Sequence, residues 1–258
     1  MPLIIAVANQ KGGVAKTTTT LNAAHALGEN GHRVLMVDFD PQSSLTVALQ
    51  FDMRQLGQSV YNALIGDDGT TLADVIRPTE MPGVDIAPAS IELSKAERQL
   101  INEINREQTL AQALAPLRDR YDYILIDCPP SLGILTTNAL AAADAVLIPI
   151  ESDYLALKGA QLLLDTIETV RRKLQPKLSI LGVLVTKYDA RTAHGKQMLR
   201  EIREAFGDLV LDKPVGLSVH AKDATAAGQS VIAFDPKSPL TASYRALAKQ
   251  IVAYASAS

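Results

Sequence analysis

Cysteine is almost missing from this chain: Cys128 is the single one in 258 residues. That excludes an intramolecular disulfide framework and any four-cysteine cluster site built within one chain, and it fits a reducing, cytoplasmic setting. A dominant charge is missing as well. Lys plus Arg number 25 against 28 Asp plus Glu, a formal net charge of −3. A generally basic nucleic-acid coat protein is thereby excluded, and any DNA contact must come from a local patch. Long hydrophobic runs are also absent. The most apolar stretch, 139–150, is interrupted by Asp144 and falls short of the roughly 20 residues that cross a bilayer. The opening MPLIIAVANQ has no basic leader and no small-residue cleavage site, so it reads as a strand and not as a signal peptide. With 47% hydrophobic and 21% charged residues, and no repeat, low-complexity segment or linker, residues 1–258 are expected to form a single domain.

What the chain does have is regular alternation. Short runs rich in Val and Ile predict strands at 3–8, 33–38, 84–87, 123–127, 145–149 and 180–186. Their weak alternation predicts burial on both faces, as in a parallel sheet covered by helices. Helical spacing predicts helices at 16–29, 93–118, 131–142, 158–174 and 194–206, closed at Asn30-Gly31, Pro176 and Gly207 where those breakers follow. The segment 240–254 carries Tyr244, Leu247, Ile251 and Tyr254 at helical spacing with few cations, which predicts a terminal helix packed on the core. Residues 50–81 have the weakest periodicity. The fold class is therefore α/β, a doubly wound, mostly parallel sheet with helices on both faces.

Directly after the first strand stands Asn9-Gln10-Lys11-Gly12-Gly13-Val14-Ala15-Lys16-Thr17, opening a helix. A Gly-rich turn into a helix N-terminus gathers backbone N–H groups at one point, where the helix dipole also favours an anion. Lys16 would reach β and γ phosphates, Thr17 would offer its hydroxyl to Mg2+, and Thr18 would lie near the α phosphate. The strict phosphate-loop pattern fails at Gln10 and Ala15. The variant K-G-G-x-x-K-[ST] fits instead, a pattern that average residue usage produces on the order of once in a million start positions. Further along, 123–127 is an apolar strand ending in Asp127, followed by Cys128-Pro129-Pro130-Ser131-Leu132-Gly133. An acid at such a strand end can hold Mg2+ through water, and the loop after it can sense the γ phosphate.

The loop, Val37-Asp38-Phe39-Asp40-Pro41-Gln42, and the Asp127 segment together resemble the ParA/MinD family of dimerising ATPases, whose phosphate loop is the deviant Walker A type of the P-loop NTPase fold. The resemblance runs over nearly the whole chain. It implies ATP and Mg2+ as cofactors, with nucleotide contacts from Lys11, Gly12, Gly13, Val14, Ala15, Lys16, Thr17 and Thr18. Lys11 would reach across a homodimer formed on ATP binding to the nucleotide of the opposite subunit. Asp40 would position or activate the attacking water, Lys16 would act on the phosphates, and Thr17, Asp38 and Asp127 would form the metal surroundings. The loop holding Thr186 and Tyr188, with the one near Phe234, would border the adenine. Relatives of this kind hydrolyse ATP slowly until a ParB-like or cargo-adaptor protein stimulates them, and they segregate or position a plasmid, chromosome or protein cargo. The resemblance implies a cytoplasmic, nucleoid-associated protein without an N-terminal helix-turn-helix domain. A MinD-like membrane-associated regulator is the alternative, and it would call for a basic amphipathic C-terminal helix. The family's usual residue before the second lysine is Gly. Ala15 is harmless at negative φ and costs about 1 kcal/mol or more at positive φ.

A DNA surface is sought in local charge. Lys187, Arg191, Lys196, Arg200 and Arg203 face only Asp189 and Glu201 within 187–203, a local charge of +3. Lys196, Arg200 and Arg203 share one helix face by their spacing. A solvated face is the usual explanation of such a stripe, and nonspecific phosphate neutralisation is the other. The family's downstream arginines are replaced here by Leu217 and His220, so the expected DNA contact is weaker, shifted toward Arg191, Arg200 and Lys222, or aimed at another surface.

Overall fold

A computed structural model describes residues 2–66, 69–101 and 103–257, with the side chains of 154–159 outside the description. In chain order the elements are β1 (Leu3–Val7), α1 (Lys16–Glu29), β2 (Val34–Asp38), α2 (Ser44–Ala48), α3 (Val60–Ile65), α4 (Leu72–Val75), β3 (Arg77–Pro78), β4 (Val84–Ala87), α5 (Leu93–Leu100) and α6 (Thr109–Leu114). There follow β5 (Tyr123–Asp127), α7 (Ile134–Ala142), β6 (Ala145–Glu151), α8 (Tyr154–Lys173), β7 (Ser179–Thr186), α9 (Ala193–Phe206), α10 (His220–Ala226), α11 (Val231–Phe234) and α12 (Pro239–Ala257).

The strands form one sheet in the order β3-β4-β2-β5-β1-β6-β7. Among the described strands only the pair β3 and β4 is antiparallel; the other neighbours run parallel. Successive strand residues bury on opposite faces. Ile4, Leu35, Val37, Ile124 and Ile126 join a core with Leu93, Leu110, Leu135 and Leu163. Ile5, Val7, Met36 and Leu125 join a second core with Leu21, Leu27, Tyr244, Leu247 and Ile251. Two covered faces are what the Val- and Ile-rich runs require. From β1 the chain crosses through α1 toward β2, and from β5 it crosses through α7 on the other face toward β6. The carboxyl ends of β1 and β5 thus flank a point where connections diverge, the usual place for a ligand in an open α/β sheet.

Several expected boundaries change. The single helix at 93–118 is broken: α5 stops at Leu100, Asn105 turns left-handed at φ 58°, and short 3-10 turns flank α6. Asn138 of α7 explains the break, because its Oδ1 accepts from the Leu110 N–H (3.1 Å) and its Nδ2 donates to the Arg106 carbonyl (2.7 Å). A tertiary partner replaces helical hydrogen bonds there. The next helix starts at Ile134 and not at 131, after an extended Gly133. The weakly periodic stretch holds α3 and α4, each begun by a reciprocal contact: Ser59 N–H to Asn62 Oδ1 (3.0 Å) and Thr71 N–H to Asp74 Oδ2 (2.8 Å). Those box-like pairs are visible in the sequence. The terminal helix packs as expected, with Tyr244, Leu247 and Ile251 buried, and Arg245 clasping Glu29 of α1 at 2.9 Å. Gly28 allows α1 to lie against the loop before β4, since a Cβ there would meet the Pro82 carbonyl at 2.1 Å.

Candidate nucleotide site

The loop between β1 and α1 is held from below before it meets anything above. Asn9 donates through Nδ2 to the Pro149 carbonyl (2.7 Å) and accepts the Lys11 N–H on Oδ1 (2.9 Å). Thr186 donates to the carbonyls of Val14 (3.1 Å) and Ile150 (3.2 Å). Gly13 is left-handed at φ 76°, and so is Ala15 at φ 65°. Ala15 therefore occupies the costly conformation and not the harmless one, a strain of about 1 kcal/mol set into the loop.

Above the loop is a cavity of about 750 Å3 lined by Gly12, Gly13, Lys16, Thr17, Thr18 and Asp40, among others. Lys16 is buried and its Nζ donates to the Lys11 carbonyl at 3.3 Å. Burial lowers its pKa, while Asp127, Cys128 and Asp40 pull the other way. Asp40 is buried at the cavity wall, with its Oδ1 accepting the Gln42 N–H (2.9 Å). Beneath the loop, Asp38 and Asp127 are register partners on β2 and β5, and both are fully buried. Burial pushes the Asp38 carboxyl up to about 6, against hydrogen bonds from Thr46 and Asp40. Burial, with the Asp38 charge beside it, raises Asp127 well above the carboxylate range, against Thr17 and Lys16. Among the described residues neither Asp127 oxygen has a hydrogen-bond partner. Two orphaned carboxylate oxygens next to Thr17 fit a divalent cation or its water. Among the described residues no group of three or more His, Cys, Asp or Glu could hold a metal unaided, so ligands from a phosphate would have to complete the shell. Cys128 is buried with its thiol pushed up by burial, which leaves it a neighbour and not a nucleophile.

Lys11 does not point into open solvent. Its Nζ lies 2.9 Å from Asp153 and 3.4 Å from Glu151, and the Asp153 contact leads the rise in its pKa. Glu151 also holds Lys187 at 3.2 Å, and Lys187 is itself left-handed at φ 51°. The acidic pair at the end of β6 carried no assigned role in the sequence, since only the pairing of β6 with β1 brings it beside the phosphate loop. Thr186 lines the phosphate cavity, whereas Tyr188 lines an adjoining one of about 620 Å3 with Leu217, His220 and Lys213. His220 pairs with Asp235 at 2.8 Å.

The basic residues separate into two groups. Arg191 is clasped by Asp189 at 2.9 and 2.8 Å, and Lys187 is tied to Glu151. Lys196, Arg200 and Arg203 are exposed along α9, and none of the ion pairs among the described residues involves them. Lys222 lines the phosphate cavity. Leu217 and Val219 are exposed beside it.

The model of the family described as AAA domain matches residues 3–180. The sporulation initiation inhibitor protein Soj of Bacillus subtilis is 43% identical over 253 residues, covering 98% of this chain and 99% of Soj. The chromosome partitioning protein ParA of Caulobacter vibrioides is 40% identical over 251 residues, covering 96% and 93%. This chain belongs to the ParA/MinD family. Among solved structures, a cobyrinic acid a,c-diamide synthase of Mycobacterium smegmatis with bound ADP and magnesium superposes with a TM-score of 0.86 at 39% identity, covering 98% of this chain and 94% of that one. The mostly parallel, doubly wound P-loop architecture expected from the sequence is thus the architecture found, with β3 added to the six expected strands. Membership in the ParA/Soj-like partition branch rests on the full-length relatives. Among the described residues no helix is long and apolar enough to cross a membrane.

Proposed function

We propose that this member of the ParA/MinD family is a Mg2+-dependent ATPase that pairs with a second copy of itself around ATP, binds DNA nonspecifically in that state, and is released when a partner protein stimulates hydrolysis. The observation that carries this reading is the cavity over the phosphate loop, with Lys16, Thr17 and Asp40 on its wall and the unpartnered Asp127 carboxylate beneath. Lys16 would neutralise phosphate charge and the loop amides would orient it. Thr17 and Asp127 would hold Mg2+, which supplies charge neutralisation between phosphates. Asp40 would accept a hydrogen bond from the attacking water and align it. Phosphoryl transfer draws most of its rate from such positioning and electrostatics. Lys11, one residue before Gly12 of the cavity lining, would exchange Asp153 and Glu151 for the nucleotide of the second copy.

The free cations of α9 support DNA contact at the phosphate backbone, and doubling them in a dimer would make that contact depend on ATP. The apolar face of α12 is spent on α1, which favours the nucleoid over a membrane surface as the place of action in the cytoplasm. The deciding experiment measures ATP hydrolysis with and without DNA for the wild type and Asp40→Ala. Loss of turnover in the variant with retained ATP binding is the expected result; equal turnover would remove Asp40 from its role. Salt-sensitive DNA binding with ATP, weakened by Glu at 196, 200 and 203, is expected alongside, and unaltered binding would move the DNA surface elsewhere.

A further inference from the structure

Asp38 and Asp127 end neighbouring strands in register, yet their carboxylates are used in opposite ways. Asp127 is unpartnered, whereas both oxygens of Asp38 are engaged. Oδ1 accepts the Asp40 N–H at 3.3 Å, and Oδ2 accepts both the N–H (2.8 Å) and the hydroxyl (2.6 Å) of Thr46. The Thr46 N–H is the third of α2, one that a capping side chain just before the helix normally satisfies from an extended backbone. Here that residue is Ser43, which is left-handed at φ 53° and makes no capping bond. Its hydroxyl oxygen is buried without a partner among the described residues. Asp38 supplies the missing cap from the strand.

The Thr46 hydroxyl does a second thing: it accepts the Ala89 N–H at 3.0 Å, from the loop after β4. One fully buried hydroxyl therefore joins the end of β2, the start of α2 and the end of β4. Residues 39–45 are strung between Asp38 and Thr46, which this hydroxyl ties together, and Asp40 stands among them at the cavity wall. We infer that Thr46 is a positioning residue for nucleotide turnover: its hydroxyl, held between the Asp38 carboxylate and the Ala89 amide, fixes the 39–45 loop so that Asp40 faces the phosphate cavity. The inference rests on the proposed role of Asp40.

Steady-state ATP hydrolysis of wild type, Thr46→Val and Thr46→Ser tests it. Valine keeps the volume and removes the hydroxyl; serine keeps the hydroxyl and removes the methyl. For Thr46→Val, kcat falls on the order of tenfold to a hundredfold, the scale of a misplaced group acting at a distance, while KM for ATP stays within about threefold. Thr46→Ser restores kcat to within about threefold of wild type. Unchanged kcat in Thr46→Val, an equal loss in Thr46→Ser, or a rise in KM with kcat intact would each overturn the inference. Circular dichroism checks folding, and if the valine variant does not fold, Thr46→Ala removes the same hydroxyl and is read by the same outcomes. A wild type that does not hydrolyse ATP at all would instead overturn the functional reading beneath it, a result distinct from a Thr46 variant that turns over normally.

Discussion

At the carboxyl end of the sheet, oxygens of Gln10, Ser43 and Asp127 are buried without partners among the described residues, and left-handed backbone is imposed on Ala15, Ser43 and Lys187. At the amino end the same kinds of position are handled conservatively. Left-handed positions there include Gly31 and Gly83. Asp144 accepts the Ile4 N–H (2.9 Å), Arg33 pairs with Asp122 (2.9 Å), and Ser179 bonds Tyr254. The amino end even has the larger cavity, about 900 Å3 against 750 Å3. Size is therefore a poor marker of the site in this molecule. Unsatisfied polar atoms and strained loops mark it better, because a fold keeps such costs where a ligand can relieve them.

The sharpest way to break this contrast is to remove the buried cation. Lys16→Ala is expected to abolish nucleotide binding by calorimetry and lower turnover by at least about a hundredfold; retained binding would detach the cavity from the phosphate reading. Next comes Asp127→Asn. Folded-state pKa values raised by burial mean that Asp38 and Asp127 favour folding while protonated, so their support is complete below the unfolded carboxylate range and is lost as pH rises through the folded values. For Asp38, with a folded value of about 6, the loss is spread between about pH 4 and pH 6. The nucleotide-free protein is expected to melt at lower temperature as pH climbs from 4 to 7. Asp127→Asn flattens that slope and abolishes the stabilisation by Mg-ADP, whereas a slope as steep as in wild type would clear Asp127 of the cost.

Ala15→Gly sharpens the strain half of the comparison. Glycine removes the left-handed penalty but adds flexibility to the unfolded chain, so the net gain is about 1 kcal/mol or less, or about 2 °C in a chain of this size. A destabilised variant would show that the alanine methyl packs usefully in the loop.

The phosphate loop, the helix it opens (16–29) and the acid at the end of 123–127 were legible because each is a local pattern: strand, turn and helix follow one another in a few residues. The broken helix after Leu100 was not legible, since the Asn138 side chain that breaks it comes 38 residues later. Nor was the engagement of Lys11, which depends on β6 lying beside β1. The same limit applies to Asp38 and Asp127. In sequence they are two acids at strand ends; the register of β2 and β5 makes them neighbours, and the contacts of Thr46 and Asp40 engage Asp38 while Asp127 has no hydrogen-bond partner among the described residues. Of the five cations in 187–203, composition counted all equally; local geometry removes two, because Asp189 and Glu151 hold them.

The smallest expected effect comes from the amino end and is the control for the rest. Arg33 and Asp122 form a bidentate-like contact, with the Arg33 Nη2 2.9 Å from Asp122 Oδ1 and the Asp122 Oδ2 accepting the Arg33 N–H at 2.8 Å. Both side chains remain open to solvent, 58% and 38% exposed, so water and salt screen the pair and its contribution is small. Arg33→Ala leaves the backbone N–H bond in place and only frees a carboxylate that water can solvate. ATP turnover is expected to match wild type, and the melting temperature to stay within measurement error at moderate salt. A clear loss of turnover would mean that the amino-end cavity communicates with the phosphate loop through β2, whose far end carries Asp38. That outcome would dissolve the division between a strained end and a satisfied one.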